Sequence, residues 1–421
     1  MRKFILLLFC FLGSTAQAQE FKLADGIVVN YKGSVGFAAW RFPATPPRPT
    51  LPGDVYTARG HLDLTLQLDA PLQFRINQRF QFDSDDSNRN RYEFDDLYLD
   101  YFRDSFELRV GYQIFSWKTV ESISHADFLN QVDLESDFLD PEKRAELALR
   151  LRFIPDTDVE QVFEIYYFAK MRPTRFPVGN NRFTFGLPIH NDPARHTWQS
   201  DAAAWRPQIA LSYQRPFFEN IDARLFYFNG YNRYPGLVPP AEPGKAFSQH
   251  YRLVQKGGLA LQGELGSWLV KGEFVYTAYN RSLVNQRGQT IRPRYLAHTF
   301  GVEYTLYAPF FENQDIGIIL ERIGDSDAGT SAEELESFRP FQNHIFAGMR
   351  YAFNNASDRS LLLGAFLNER ARDYMLRFEY EDRLFERLKL KMTWFNVTAE
   401  TSPLDGFDHT DRFILELAYN F

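Results

Sequence analysis

The chain has a single cysteine, Cys10, in 421 residues. Disulfides and thiolate metal sites are therefore excluded from everything after residue 10, which suits an oxidising compartment. Long apolar runs are missing too. No stretch reaches the ~18 to 20 uninterrupted apolar residues that a helix needs to cross a bilayer. Positive charge is in deficit, with 47 Lys and Arg against 54 Asp and Glu, so nucleic acid is not an expected partner. No G-x-S-x-G nucleophile motif and no EF-hand spacing occurs.

What is present begins with residues 1–18. Arg2 and Lys3 precede a short apolar run at 4–12, and Ala16-Gln17-Ala18 is a small-x-small cleavage site. This reads as a cleaved signal peptide, with 19–421 as one domain. Removing Arg2 and Lys3 leaves 45 basic against 54 acidic residues, a net charge of −9. Aromatics make up 16% of the chain, including 41 Phe and 22 Tyr. Aromatic wealth without a membrane helix fits a barrel that is apolar outside and polar inside.

Apolar residues recur at every second position in segment after segment. Leu62, Leu64, Leu66 and Leu68 alternate with His61, Asp63, Thr65 and Gln67, and Phe106, Leu108, Val110 and Tyr112 alternate with Glu107, Arg109, Gly111 and Gln113. This period places one class of side chain on each face of a strand. About eighteen strands are expected, near 27–41, 54–69, 71–83, 90–103, 105–115, 144–154, 158–170, 204–215, 220–233, 252–265, 267–281, 293–307, 314–325, 341–353, 359–369, 373–384, 387–398 and 411–421. Sixteen is the rival count. Tight links such as Asp104-Ser105 and Gly266-Ser267 alternate with long ones such as 116–143 and 171–203, as short periplasmic turns and long outer loops would. The expected fold is all-β: an antiparallel up-and-down transmembrane barrel. Positions near Asp327 and Arg175 fall on its outer side. Arg215-Pro216-Phe217-Phe218-Glu219-Asn220 recurs as Ala308-Pro309-Phe310-Phe311-Glu312-Asn313, both on the periplasmic side. Only a few residues precede the first strand, which leaves no room for a plug or for periplasmic transport domains.

The last segment, Phe413-Ile414-Leu415-Glu416-Leu417-Ala418-Tyr419-Asn420-Phe421, is apolar at every second position and ends on an aromatic. It resembles the C-terminal assembly signal of Gram-negative outer-membrane β-barrels, with Tyr419 and Phe421 as its signal residues. That resemblance implies outer-membrane lipid, lipopolysaccharide and the barrel-assembly machinery as partners, with a homo-oligomer open. Val110-Gly111-Tyr112-Gln113 through Ser116-Trp117, followed by Asp127-Phe128-Leu129-Asn130-Gln131-Val132-Asp133, loosely resembles porin-like families related to the alginate-export barrels. It departs from them at Lys118, where those proteins often carry Gly.

Candidate sites follow from phase and loop length. Arg75, Arg79, Arg109, Arg150 and Arg152 fall on the polar phase, as do Asp63, Asp96, Asp100, Glu107 and Glu146; these are the expected pore-lining residues. The connection 116–143 carries Trp117, Lys118, Glu121, Asp127, Asn130, Asp133, Glu135 and Asp137, and is expected to fold inward as a constriction. Its acids suit calcium by chemistry, but no cofactor is expected. Arg172, Arg175, Arg182, His190, His196 and Trp198 in 171–203 read as an exposed loop, or as an anion contact. Ser122, Ser124, His125 and Asp127 hold hydrolase residue types without a motif, so no enzyme is expected. The leading function is a porin-like channel for small hydrophilic solutes. An exporter of an anionic chain such as a polysaccharide and a non-conducting adhesion barrel are the alternatives.

Overall fold

The computed structural model describes residues 19–421 apart from 25, 69–70, 185–187, 219, 243, 285–289, 327–338, 340 and 401–403. The expected signal peptide and the tip around Asp327 lie outside the described residues. Each of the eighteen expected segments contains a strand, with ends displaced by at most four residues. Neighbours in sequence pair antiparallel, and the last strand, Arg412–Asn420, pairs with Ile27–Arg41 to close the barrel. At the seam Phe421 and Gly33 exchange two backbone hydrogen bonds of 2.9 Å.

The main sheet contains a nineteenth strand, Gln19–Ala24, which pairs only with Ile27–Arg41. It covers Ile27 to Tyr31 on the edge that the last strand leaves open. The sequence reading treats these residues as a lead-in, because six residues are too few to establish a period.

The connections segregate by end. Turns at 104–105, 218–220, 266–267 and 385–387 lie at one end, and 42–53, 114–145, 171–207 and 232–252 lie at the other. Asp104, Phe218, Ala308, Asn313, Phe385 and Glu386 take positive φ at the short-turn end, as tight reversals demand. Both copies of the Pro-Phe-Phe repeat fall there, and Phe218, Phe310 and Phe311 stand exposed as an interfacial aromatic rim. Phe163, Ile165 and Tyr167 on Val162–Lys170, and Ile209 and Leu211 on Gln208–Phe217, turn outward and form part of the lipid-facing belt.

The inner face is divided. From Arg59 round to Arg152 it is charged. From Val162–Lys170 round to Arg294–Tyr307 it is largely apolar: Tyr166, Phe168, Phe226, Phe228, Val254 and Val275 are buried there beside the small Ala210, Ala260 and Ala297. Gly258 makes this packing possible, since a Cβ on it would lie 2.4 Å from Cζ of Phe226. An apolar inner wall in a wide barrel must be covered, and the cover is the segment described next.

Closure sets one expectation. The Phe421 ring lies across Gly33, within 2.7 Å of where a Cβ would sit. Phe421→Asp places a charge at the closing seam of the lipid face. Outer-membrane yield should fall several-fold, with unfolded protein accumulating in the periplasm. Normal yield with normal heat-modifiable mobility would show that the terminal aromatic is dispensable.

Candidate functional site

The segment 114–145 turns into the barrel and crosses to the far wall. Asn130 holds its base: its side-chain oxygen accepts from Phe115 N–H at 2.7 Å, and its amide donates to the carbonyls of Gln113 and Arg144. Trp117 then descends against the apolar wall, 5.1 Å from the Phe226 ring, with its indole N–H donating to the Tyr166 hydroxyl at 3.3 Å. Phe115, Ala126, Phe128 and Leu129 are buried in the same cluster. Burial of an aromatic and aliphatic face of this kind is the main attraction between segment and wall.

Two wall carboxylates fix the crossing. Glu273, on Trp268–Tyr279, accepts from Thr119 N–H at 2.8 Å, Ala126 N–H at 2.9 Å and the hydroxyls of Thr119 and Ser124. Glu321, on Asp315–Asp325, accepts from the N–H groups of Glu121 and Ser122, both at 2.8 Å, and from the Ser122 hydroxyl. Both carboxylates are fully buried. They are the functional residues that sequence reading misses. The available signal is an acid amid inward apolar neighbours, as Glu321 is between Ile319 and Ile323.

The segment's own acids face arginines and lysines, some of them shared, as Arg91 is by Asp133, Glu135 and Glu142. Glu121 pairs with Arg350 at 2.7 Å, Asp127 with Lys143 at 2.6 Å, and Asp133 with Arg91 at 2.9 Å and Arg175 at 3.0 Å. Asp137 takes a bidentate pair from Arg412 at 2.7 and 2.8 Å, and Phe138 stacks on Phe407 at 3.5 Å. Lys118 donates to the Glu121 carbonyl. The acids that suit calcium by chemistry are thus turned towards cations. The hydrolase types are not brought into a relay. Ser122 and Ser124 donate to Glu321 and Glu273, Asp127 faces Lys143, and burial with the nearby Lys256 pushes His125 down to about 3.

The wall charges pair among themselves. Asp63 receives Arg75 at 2.9 Å, Asp96 lies 3.7 Å from Arg75, and Asp100 receives Arg109 at 2.6 Å. Glu107 gathers Arg109, Arg150 and Arg152. Only Arg79 of the five arginines meets the crossing segment, through Glu142 at 2.6 Å. Glu146 is buried beneath the segment and accepts from Gln131 N–H at 3.3 Å.

The 171–203 connection is not an exposed loop. Arg172 and Arg175 bind Glu93, Arg182 is buried and donates to the carbonyls of Ala44 and His409, and Phe183 packs edge-on to Trp40. His196 lies 3.2 Å from the His190 carbonyl, and Trp198 stacks on Tyr251 at 4.5 Å. The connection closes over the first segment at the outer mouth. Its cations are consumed by neighbours, and Arg175, at the outer end as expected, is half-buried between Glu93 and Asp133. The sequence reading misses this because, apart from the local contact of His196 with His190, the partners lie 42 to 227 residues away.

Glu135 makes the docking pH-sensitive. Burial and then Asp133 push its carboxyl up to about 8, against Arg91 and Arg175. In an undocked segment the same group ionises near its ordinary value of 4.5. Between those values the undocked form loses its proton first, so docking weakens as pH rises; above about 8 the penalty is constant. Protease cleavage within 116–143 should therefore increase from pH 5 to pH 8, and Glu135→Gln should flatten that rise. An unchanged slope in the variant would assign the dependence to another group.

No protein-family model matches the chain, and no curated protein matches it in sequence. Solved structures match it in shape. Pseudomonas aeruginosa OccK2 (OpdF) in complex with glucuronate superposes with a TM-score of 0.52 at 9% identity, covering 93% of this chain and 98% of that one. Pseudomonas aeruginosa OccK11 (OpdR) gives 0.51 at 12%, covering 96% and 99%, and OccD3 (OpdP) gives 0.50 at 9%, covering 97% and 93%. The chain has the fold of the porins, a closed antiparallel β-barrel of eighteen strands.

Proposed function

We propose that the protein is a porin-like channel through which small hydrophilic solutes diffuse across the outer membrane. The observation that carries this reading is the inward crossing of 114–145, held at its far side by Glu273 and Glu321. A segment so placed divides a wide lumen into narrow passages without sealing the charged half. A cavity of about 260 Å³ on that half is lined by Arg59, His61, Arg79, Glu93, Glu142 and Glu416. Paired charges of both signs along a wall give permeating solutes polar contacts in place of bulk water.

The crossing favours small solutes over an extended polymer, because its flanking spaces are short and walled by side chains. The narrower likeness to alginate-export barrels rests on 110–117 and 127–133 alone, and no family model supports it. Among the described residues, Ser122 and Ser124 are taken by Glu321 and Glu273 and Asp127 by Lys143, which favours a channel over a hydrolase. Planar-bilayer recording of the purified protein tests it. Discrete open steps support the channel. Persistent closure at high protein density would support an adhesion barrel with a blocked lumen.

A further inference from the structure

On the other flank of the crossing segment is a second cavity, of about 170 Å³, with apolar walls that include Phe128, Tyr234, Val275 and Tyr295. Three cations, Lys256, Arg233 and Arg339, line it. Arg339 is paired with Asp325, and the only other acid in the lining, Asp127, is taken by Lys143 at 2.6 Å. Lys256 has no acid. It is buried on Leu253–Leu265, where its inward neighbours are Val254 and Gly258 on its own strand, Phe228 on Ile221–Tyr231 and Thr277 on Trp268–Tyr279. Its ammonium faces the Phe128 ring from the crossing segment, 4.3 Å from the centroid. Arg233 is buried too, and its Nη2 has no hydrogen-bond partner; its Nε and Nη1 donate to the Leu129 carbonyl and to Gln208. Glu146 acts on Arg233 through its field without pairing with it. Nε2 of His125, also in the lining, is unpartnered.

Ring faces steady a cation but do not neutralise it. A buried ammonium without a counter-ion is costly, and an anion entering the cavity removes that cost. The remaining walls are apolar, and the volume is slightly above the ~150 Å³ that accommodates a benzene ring in an engineered apolar cavity. We infer that this cavity is a binding site for a small monocarboxylate carrying an apolar, ring-sized body, its carboxylate received by Lys256 and Arg233 and its body by Phe128, Tyr234 and Tyr295. Tyr234, whose hydroxyl forms no described hydrogen bond, supplies a further donor at the rim. This names a solute class for the proposed channel, and its transport meaning rests on that reading. The binding site itself does not.

Titration calorimetry on the detergent-solubilised barrel separates the two. The probes are benzoate, benzyl alcohol and acetate. Benzoate is expected to bind with saturation. Benzyl alcohol, which keeps the ring without the charge, and acetate, which keeps the charge without the ring, are each expected to bind at least about tenfold more weakly. Lys256→Gln should weaken benzoate about tenfold, and Lys256→Arg should restore most of the loss, with heat-modifiable mobility reporting the fold of each. If Lys256→Gln does not fold, the comparison of the three probes on the parent protein still decides. Equal binding of benzoate and either control, no benzoate binding at all, or a folded Lys256→Gln barrel of unchanged affinity overturns the inference. A barrel that conducts but does not bind benzoate keeps the channel and loses this site; one that binds but never conducts keeps the site and loses the channel.

Discussion

Replacing residues 122–138 with a short Gly/Ser link is expected to raise single-channel conductance several-fold and to admit larger solutes, while the barrel still inserts. The replaced stretch supplies Phe128 and Leu129 to the apolar inner wall, Asp137 to Arg412 and Phe138 to Phe407. None of these contacts belongs to the strand ladder that closes the barrel. The ladder therefore survives and the space inside opens. The cost falls on the wall. Arg412 is fully buried, and removing Asp137 leaves it unpaired, a loss of about 3–5 kcal/mol for a buried pair. Arg412→Met in the shortened protein should recover part of that stability. A shortened barrel that inserts normally and conducts like the parent would show that the segment is not what narrows the lumen.

The second large effect is expected from a single wall residue. Glu273→Leu removes the acceptor for two backbone N–H groups and two hydroxyls of 119–126 at once. Each buried donor left unmet costs about 1–3 kcal/mol, more than a docked loop ordinarily has in reserve. The segment should leave the wall, giving noisy, stepwise conductance and rapid protease cleavage near Lys118, with heat-modifiable mobility retained. Glu273→Gln keeps one acceptor oxygen and should show a smaller change. Quiet, parent-like conductance in Glu273→Leu would mean that packing of Trp117 and Phe128 alone suffices to hold the crossing.

The two substitutions mark the line between what the sequence displays and what it hides. Alternation over ten or more residues is a local property, so Ile27–Arg41 and its partners can be read directly from the chain, together with the eighteen-strand count and the alternation of link lengths. The inward course of 116–143 follows from its length and placement. Its attachment does not, because Glu273 and Glu321 lie about 150 to 200 residues beyond the groups they hold. Val162–Lys170 and Ile221–Tyr231 carry the hidden clue. Both are apolar on two faces, at Ile165-Tyr166-Tyr167-Phe168 and Leu225-Phe226-Tyr227-Phe228, and a water-filled barrel has no use for an apolar inner face. Of the arginines expected to line the pore, Arg75, Arg109, Arg150 and Arg152 answer to Asp63, Asp100 and Glu107, and Arg79 reaches the crossing segment at Glu142. Phase is visible in a sequence; the identity of a partner across a lumen is not.

The pair between Asp137 and Arg412 also constrains the order of events during folding. Arg412 opens the final strand, 275 residues after Asp137, and Phe407 just before it supplies the ring on which Phe138 rests. Neither anchor exists until the last strand is in place. Contacts of such sequence separation are made late, since the intervening chain must first be ordered. The stretch around Asp137 and Phe138 thus docks last, after the attachments to Glu273 and Glu321 are available. A barrel interrupted before its last strand would be open at the seam, with the 137–138 end of the segment lacking both partners. The narrowing of the lumen is in this sense a report that construction has finished.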